Sequence, residues 1–279
     1  RLFDHYKTEL QAGFSGLPIN GEAAGSKIKR FDSTTFTLFV DVLKGAGRNP
    51  EHGTKKGGDK AQTVLGLDSL VPEFIELGPA AKNDKDFLGQ LIVKPGYLYV
   101  FDKGYVNYTV YRDWTKQGVS FVTRLNENAS YVVLEDKKIE HFDLVTGQGV
   151  IADQVIKVKL KGDKMGLKLR LVTYKDPETG KVLKFLTNHF VYQAQTITLI
   201  YKNRWAIEPF FKQLKQNYQL GYFFSDSEQG IKTQIWIALI ANLIFTLIYQ
   251  RNKEAESFMT IVSMARAGLN TYVCILTII

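Results

Sequence analysis

Cysteine, histidine and proline are scarce in this chain, and each scarcity excludes a class of structure. Cys274 is its single cysteine, so no internal disulfide and no cysteine-based zinc site can form, which suits a reducing cytoplasm. The histidines His5, His52, His141 and His189 are scattered without metal-ligand spacing. With 7 prolines in 279 residues and 45% hydrophobic residues, the chain is expected to fold around a core.

Acidic residues are also outnumbered, by 36 lysines and arginines to 28 aspartates and glutamates. The net charge of +8 favours a polyanionic partner such as nucleic acid or an acidic membrane, the alternative being a merely basic soluble protein. The chain starts at Arg1 without a signal peptide, and residues 275–279 are apolar to the end. We therefore expect a fragment of a longer protein.

One long apolar run occurs near the C-terminal end. Residues 233–250 carry no charge and are long enough to span a membrane. The run contains Gln234, Asn242 and Gln250, and the sequence holds no second run of this kind to pair with it. Because a core helix of a large α/β domain is apolar all round in the same way, we predict a buried helix and no membrane partner.

Strand-like and helix-like segments alternate along most of the chain, which predicts an α/β fold. β-forming segments and turn signals predominate over residues 127–186, and helical periodicity returns after them. We therefore predict a sheet flanked by helices with an all-β insertion. The predicted parts are an N-terminal helix and linker (1–26), a first part of the core (27–126), the insertion (127–186) and a second part of the core with C-terminal helices (187–279).

Two aspartates follow strand-like runs. Asp32 is expected to join two strands over residues 27–32 and 35–42, and Asp102 ends the apolar run that precedes Lys103. Open α/β sheets carry their chemistry at the carboxyl ends of strands, and two carboxylates at one edge suit hard divalent cations. Taken singly, each aspartate is more often an ordinary turn residue.

A third acid, Glu208, lies in a helical segment. At 100° per residue, Tyr201, Arg204, Glu208 and Lys215 fall on one stripe, so the acid can bind metal while the cations and the hydroxyl hold phosphate oxygens. The alternative is an ordinary amphipathic helix with an Arg204–Glu208 pair. Pro209 is expected to kink or restart the helix.

An apolar flank adjoins this stripe and is expected to anchor the helix to the core. Trp205, next to Arg204, is expected to pack there too. The flank consists of Ile200, Ile207, Phe211 and Leu214.

These residues resemble a known family. Tyr201, Arg204, Glu208 and, after six intervening residues, Lys215 look like the Tyr-Arg-Glu-Lys signature of DDE transposases of the fourth family of bacterial insertion sequences. RFDSTTF around Asp32 and FDKGY around Asp102 resemble the other two acidic motifs of that family. The resemblance extends over about residues 27–250, and the family's N-terminal DNA-binding region is missing.

The resemblance implies an RNase H-like mixed sheet and a cut-and-paste DNA transposase, in which Asp32, Asp102 and Glu208 are catalytic and hold two Mg²⁺ ions, with Mn²⁺ as a substitute. Tyr201, Arg204 and Lys215 would then contact DNA phosphates at the transposon end. The implied partner is double-stranded DNA, both transposon ends and target, bound by a homodimer. The implied location is the bacterial cytoplasm, at the nucleoid. An inactive or domesticated DNA-binding remnant and a metal-dependent nuclease remain the alternatives.

The predicted insertion holds cations at strand spacing, Lys157, Lys159 and Lys161, and then Lys168 and Arg170. Alternate residues of a strand share one face, so the sequence predicts either a DNA-backbone contact stripe or an ordinary solvated face. Because the family stacks a flipped base on an aromatic residue of the insertion, Tyr131 and Phe142 are noted without a choice between them.

Overall fold

The structure is a computed structural model, and it shows a mixed sheet flanked by helices. The predicted helix near the N-terminus and most of the predicted loop over 45–60 lie outside the residues it describes. The described residues are 27–38, 57–66, 71–139, 142–143, 148–160, 163–251 and 257–268.

Ten strands and six α-helices make up this part of the chain. The strands are β1 (Ile28–Thr37), β2 (Gly58–Gly66), β3 (Pro72–Pro79), β4 (Leu98–Val100), β5 (Ser120–Arg124), β6 (Tyr131–Asp136), β7 (Phe142–Asp143), β8 (Gln148–Leu160), β9 (Asp163–Lys175) and β10 (Val182–Thr187). The helices are α1 (Asp84–Gln90), α2 (Tyr108–Lys116), α3 (Ala194–Lys202), α4 (Ile207–Asn217), α5 (Glu228–Arg251) and α6 (Phe258–Gly268), with short 3₁₀ turns at Lys103–Tyr105 and Asn203–Ala206.

The strands form one sheet in the order β3-β2-β1-β4-β5-β10-β9-β8-β6, with β7 on β8. β1, β4 and β5 run parallel, β2 is antiparallel to β1, and β3 is antiparallel to β2. This half of the sheet has the RNase H-like arrangement, as predicted. β10 pairs antiparallel with β5, so the strands of the predicted insertion extend the same sheet.

One face of the sheet is lined with aromatic side chains. The Phe31 and Phe101 rings stack at 4.6 Å, and Tyr111 of α2 stacks on Phe121 at 4.2 Å. Asn107 caps α2, because its side chain accepts hydrogen bonds from the amides of the first turn. This face therefore holds β1, β4 and β5 against α2 through rings that are fully buried.

The opposite face carries α3 and α4. Ile28 of β1 packs with Ile197 and Ile200 of α3, and Phe36, further along the same strand, packs with α4 and α5. Alternate residues of a strand share one face, so Asp32 lies on this side between Ile28 and Phe36. The strand therefore presents Asp32 where the chain passes from α3 to α4.

The structure corrects the prediction of two strands meeting at Asp32. β1 is continuous through Asp32 and pairs with β2 along that length, with Asp32 opposite Thr63. The hydroxyl residues that follow include β-branched threonines, which favour extended backbone over a turn. β4 ends at Val100, so on that side β1 has no ladder partner beyond Arg30 among the described strands.

The break in the helical segment comes earlier than expected. A 3₁₀ turn over Asn203–Ala206 separates α3 from α4, and Pro209 then lies in the first turn of α4. Proline is tolerated there because the amides of a first turn have no intrahelical acceptor. The stripe calculated for one continuous helix is therefore interrupted between Tyr201 and Glu208.

The uncharged run forms most of α5, as predicted. Within the described part of the chain, α5 is the one helix long and apolar enough to cross a membrane, a test that core helices also pass. Ile231, Ile235 and Leu239 are buried in the same cluster as α4. Ile237 lies on the exposed side of the helix. One face of α5 is thus part of the core.

Asp59, near the start of β2, is a buried acid that weakens the fold at neutral pH. Burial raises its pKa to about 6, against an ordinary value of 3.8, and its Oδ2 atom accepts no hydrogen bond from the described residues. The folded state therefore holds this proton more tightly than the unfolded chain, and stability is lost as pH rises from 3.8 to about 6.

We predict that Asp59→Asn raises the free energy of unfolding above pH 6 by about 3 kcal/mol and changes it little below pH 3.8. Urea unfolding across this pH range measures the difference between the two proteins. Asp226→Asn, which changes an exposed acid before α5, is the matched control. A gain for Asp59→Asn that is independent of pH would contradict the prediction.

Candidate active site

Parallel pairing aligns the two aspartates. Arg30 of β1 is opposite Val100 of β4, so the positions two residues further on are Asp32 and Asp102. The intervening Phe31 and Phe101 stack on the aromatic face, which directs both carboxylates to the face of α3 and α4. Two acids separated by 70 positions in the sequence are therefore neighbours in the fold.

Arg204 links the first aspartate to Glu208. Its Nη1 donates to Asp32 Oδ2 at 2.6 Å, and its Nη2 is 3.9 Å from Glu208 Oε1. Arg204 is 5% exposed and lies in the 3₁₀ turn, which Arg30 holds over β1 by donating to the Asn203 carbonyl at 3.0 Å. The 3₁₀ turn between α3 and α4 thus places Arg204 beside Asp32 and Glu208.

Tyr201 secures the second aspartate. Its hydroxyl donates to Asp102 Oδ1 at 3.0 Å, and the Arg204 guanidinium lies 5.7 Å from its ring. Arg124 Nε, at the end of β5, is 3.4 Å from the same Asp102 oxygen. One connected chain of polar contacts therefore joins Asp102, Tyr201, Arg204, Asp32 and Glu208.

Asp32 is the most buried acid of this chain of contacts: its side chain is 21% exposed, against 34% for Asp102 and 62% for Glu208. Burial raises the pKa of Asp32, opposed by the Arg204 cation and the Ser33 amide, and the neighbouring Asp102 charge raises it further. Burial also raises the pKa of Tyr201, so its phenol stays neutral and donates. The Arg204 cation therefore favours the ionised form of Asp32 against the effect of burial.

A depression of about 540 Å³ opens beside the acids. Asp32 and Glu208 line one part of it, and Lys212 and Lys215 line another. The Lys215 ammonium lies 5.7 Å from the Phe36 ring, and burial lowers its pKa. Carboxylates and cations face one depression, which is the combination that a phosphodiester handled at a metal requires.

The donor set suits a hard divalent cation, because it consists of carboxylate oxygens. Within the described residues, however, no three His, Cys, Asp or Glu side chains are grouped closely enough to hold a metal ion. The Arg204 guanidinium lies between Asp32 and Glu208 and contacts both. Asp32 and Asp102, aligned on neighbouring parallel strands, fit as a pair of carboxylate ligands.

Comparison with known proteins identifies the family. The family model described as the transposase DDE domain matches residues 25–244. The chain belongs to the transposase DDE domain family. The predicted relationship to DDE transposases is thereby confirmed.

Two curated relatives carry transposase names. A Sinorhizobium fredii protein named as transposase y4zB is 29% identical over 199 residues, 70% of this chain and 55% of the relative. A Geobacillus stearothermophilus protein named as a transposase for insertion sequence element IS5377 is 25% identical over 236 residues, 84% of this chain and 60% of the relative. The chain thus spans little more than half the length of these relatives.

A solved structure of a transposase aligns with most of the chain. A piggyBac transposase synaptic complex with hairpin DNA, determined by cryo-EM, covers 90% of this chain and 56% of its own, at 11% identity and a TM-score of 0.48. The fold assignment rests on the strand order and parallel register described above.

Sequence reasoning missed one residue of this DDE domain and misjudged another. Arg124 contacts Asp102 because β4 and β5 are parallel and Val100 is opposite Val122, which places Arg124 in the same row. An Arg at the end of the strand after Asp102 was the signal available. Trp205, expected to pack, is 44% exposed, because the 3₁₀ turn directs Arg204 inward instead.

The basic stripe of the insertion is smaller than predicted. Arg170 is 2% exposed and forms a bidentate pair with Asp153 at 2.7–2.8 Å, so it is unavailable to DNA. Lys159 and Lys168 are exposed, and Lys157 is opposite Lys168. Lys161 lies outside the described residues. Arg170 is therefore not part of an exposed basic stripe, because it neutralises the buried charge of Asp153.

The structure describes the side chain of one of the two aromatic residues noted in the predicted insertion. Tyr131 is partly buried at the start of β6 and lines a cavity. The side chain of Phe142 lies outside the described part of the structure.

We predict that Arg170→Gln lowers the free energy of unfolding by about 3 kcal/mol, because it strands the buried Asp153 carboxylate. The carbonyl of Tyr192, 2.6 Å from Nη1, loses its donor as well. Urea unfolding measures the loss, with Lys168→Gln, an exposed cation of the same strand, as control. Equal stabilities of the two variants would disprove the structural role of Arg170.

Proposed function

We propose that this chain is the catalytic part of a cut-and-paste DNA transposase. The observation that supports the proposal is the chain of contacts through Tyr201 and Arg204 that links Asp102, Asp32 and Glu208. Asp32 lies in β1 and Asp102 follows β4, whereas Glu208 lies far along the chain in α4. Family membership makes these three acids the expected catalytic set.

In this proposal Asp32, Asp102 and Glu208 hold divalent cations, with two Mg²⁺ ions expected and Mn²⁺ as a substitute. Such ions, when bound, activate the attacking oxygen and stabilise the leaving oxygen at phosphorus. Tyr201 fixes the orientation of Asp102 by its hydrogen bond. Arg204 neutralises Asp32 and, when it turns away from the acids, offers its fork to a phosphate.

The substrate side of the proposal rests on the cations of the depression. Lys215 and Lys212 lie where a phosphodiester next to the acids would extend. The net charge of +8 favours DNA as the polyanion. The proposed partners are transposon ends and target DNA, bound by a homodimer in the cytoplasm at the nucleoid.

The proposed reaction begins with water nicking one strand, which breaks a P–O bond and frees a 3′-hydroxyl. That hydroxyl attacks the opposite strand and displaces its 3′ oxygen, which closes a hairpin. Hydrolysis reopens the hairpin, and the new 3′-hydroxyl displaces an oxygen in the target strand. Each step exchanges one P–O bond for another, so a single set of acids serves all of them.

We predict that Asp32→Asn, Asp102→Asn and Glu208→Gln each reduce nicking of a supercoiled plasmid in Mg²⁺ to below ~1% of the unchanged protein. Gel electrophoresis of the plasmid measures nicking. Asp113→Asn, which changes an exposed acid on α2, should leave the rate unchanged. Full nicking by Glu208→Gln would overturn the proposal.

Strand joining into a target plasmid separates a transposase from a simple nuclease. Binding of DNA without any nicking, by a folded protein with intact acids, would indicate the inactive remnant instead.

We further predict that Arg204→Gln binds Mn²⁺ about tenfold more tightly while it nicks DNA more slowly. The substitution removes a cation that competes for Asp32 and Glu208, and it also removes a group proposed to hold phosphate. Electron paramagnetic resonance of free Mn²⁺ measures affinity without any reaction. Lys202→Gln, which removes a cation directed at Tyr174 and away from the acids, is the control. Weaker Mn²⁺ binding by Arg204→Gln would contradict this role.

A further inference from the structure

A polar network lies on the face of β1 opposite Asp32. Ser33 of β1 pairs with Gln62 of β2, and Lys60, two positions before Gln62, lies on the same face of the sheet. Asp84, the first residue of α1, accepts at Oδ1 from Lys60 Nζ at 2.7 Å and from Gln62 Nε2 at 2.9 Å. The Ser33 hydroxyl lies 3.4 Å from the same oxygen. One carboxylate oxygen of α1 therefore holds donors from both strands.

Tyr105 extends this network to the turn that follows Asp102. Its hydroxyl donates to Gln62 Oε1 at 2.7 Å in a buried position. Tyr105 is the last residue of a 3₁₀ turn that begins directly after Asp102. Gln62 thus fastens this turn to β2, the strand that pairs with β1 alongside Asp32.

The network includes a buried charge, so hydrophobic packing alone does not account for it. The Lys60 side chain is 2% exposed, and that of its partner Asp84 is 23% exposed. A buried ion pair gains little stability over apolar residues of the same volume, because the charges lose their hydration. The surroundings are apolar, since Phe31, Phe87 and Tyr105 belong to one core cluster. What the polar contacts add is direction, because hydrogen bonds require particular distances and angles.

The two aspartates lie beyond the ladder that aligns their strands. The register of β1 with β4 ends with Arg30 opposite Val100, two residues before each aspartate. The bond from the Tyr105 hydroxyl to β2 continues the alignment past that point, on the face behind the carboxylates. The spacing of Asp32 and Asp102 therefore depends on this bond as well as on the ring stacking beside it.

We infer that Tyr105 and Gln62 are positioning residues that set the spacing of the Asp32 and Asp102 carboxylates for a divalent cation. The inference rests on the proposed function and deepens it, because it assigns control of the acid pair to residues on the opposite face of β1. Without the Tyr105–Gln62 bond, the turn after Asp102 is free to move relative to β1. A cation then binds less tightly to the pair of acids.

The test measures Mn²⁺ binding to the full chain by electron paramagnetic resonance of free Mn²⁺, with no DNA present. Tyr105→Phe should weaken binding by about tenfold, the lower end of what residues that orient metal ligands contribute. Tyr108→Phe is the matched control, since the Tyr108 hydroxyl is buried beside the same core cluster but has no hydrogen-bond partner within the described ranges. Binding that Asp102→Asn removes is assigned to the acids. Circular dichroism verifies that the variants are folded.

A double-mutant cycle separates positioning from a general loss of packing. Gln62→Met removes the acceptor of the Tyr105 hydroxyl with little change in volume, and it should also weaken Mn²⁺ binding. The double variant should bind no more weakly than Gln62→Met alone, because both substitutions remove the same bond. Losses that multiply would overturn the inference, and so would equal Mn²⁺ affinities of Tyr105→Phe and Tyr108→Phe.

Nicking of supercoiled plasmid distinguishes a failure of this inference from a failure of the proposed function. If the unchanged protein nicks and Tyr105→Phe binds Mn²⁺ as tightly as it does, the positioning role is refuted and the proposed function stands. If Tyr105→Phe shows the expected loss but the unchanged protein never nicks, the proposed function is refuted and the positioning role stands. If the unchanged protein binds no Mn²⁺, both are refuted.

Discussion

The ion pair between Arg204 and Asp32 organises the whole site. It joins residues 172 positions apart at 2.6 Å, with Arg204 almost fully buried. Neither partner is stable there alone, because a buried charge without a counter-charge costs several kcal/mol. Arg204 makes this contact from the 3₁₀ turn, and Glu208 lies in the first turn of α4, 3.9 Å from the same guanidinium.

The aromatic face of the sheet makes that arrangement rigid. Phe31 and Phe101 stack behind the two aspartates, and Tyr105, in the turn after Asp102, packs edge-on against Phe31 at 4.9 Å. The Tyr105 hydroxyl donates to Gln62 of β2 at 2.7 Å in a buried position. The loop after Asp102 is thus bound to the strand beside Asp32, so the spacing of the two carboxylates is set from both faces.

Much of the fold and part of the site could be predicted from the sequence, because the periodicity of apolar residues and the positions of the acidic residues are both visible in it. Alternating strands and helices predicted the α/β class, and the strand-like runs before Asp32 and Asp102 predicted that these two acids lie at one edge of the sheet. The contact of Tyr201 with Asp102 was not predictable, because helical angles assume one continuous helix. Nor was the burial of Arg170, because a period-two pattern of cations does not reveal Asp153 on the neighbouring strand.

The strands of the predicted insertion share a core cluster with the strands beside the two aspartates. Ile156, Leu169 and Leu171 of β8 and β9 are buried in one cluster with Phe31 and Phe101. The hydrogen-bonded path from β9 through β10 to β5 ends at Arg124, one contact from Asp102. The strands of the predicted insertion are therefore joined to Asp102 by hydrogen-bonded strand pairs and by shared core packing, and they do not form a separate sheet.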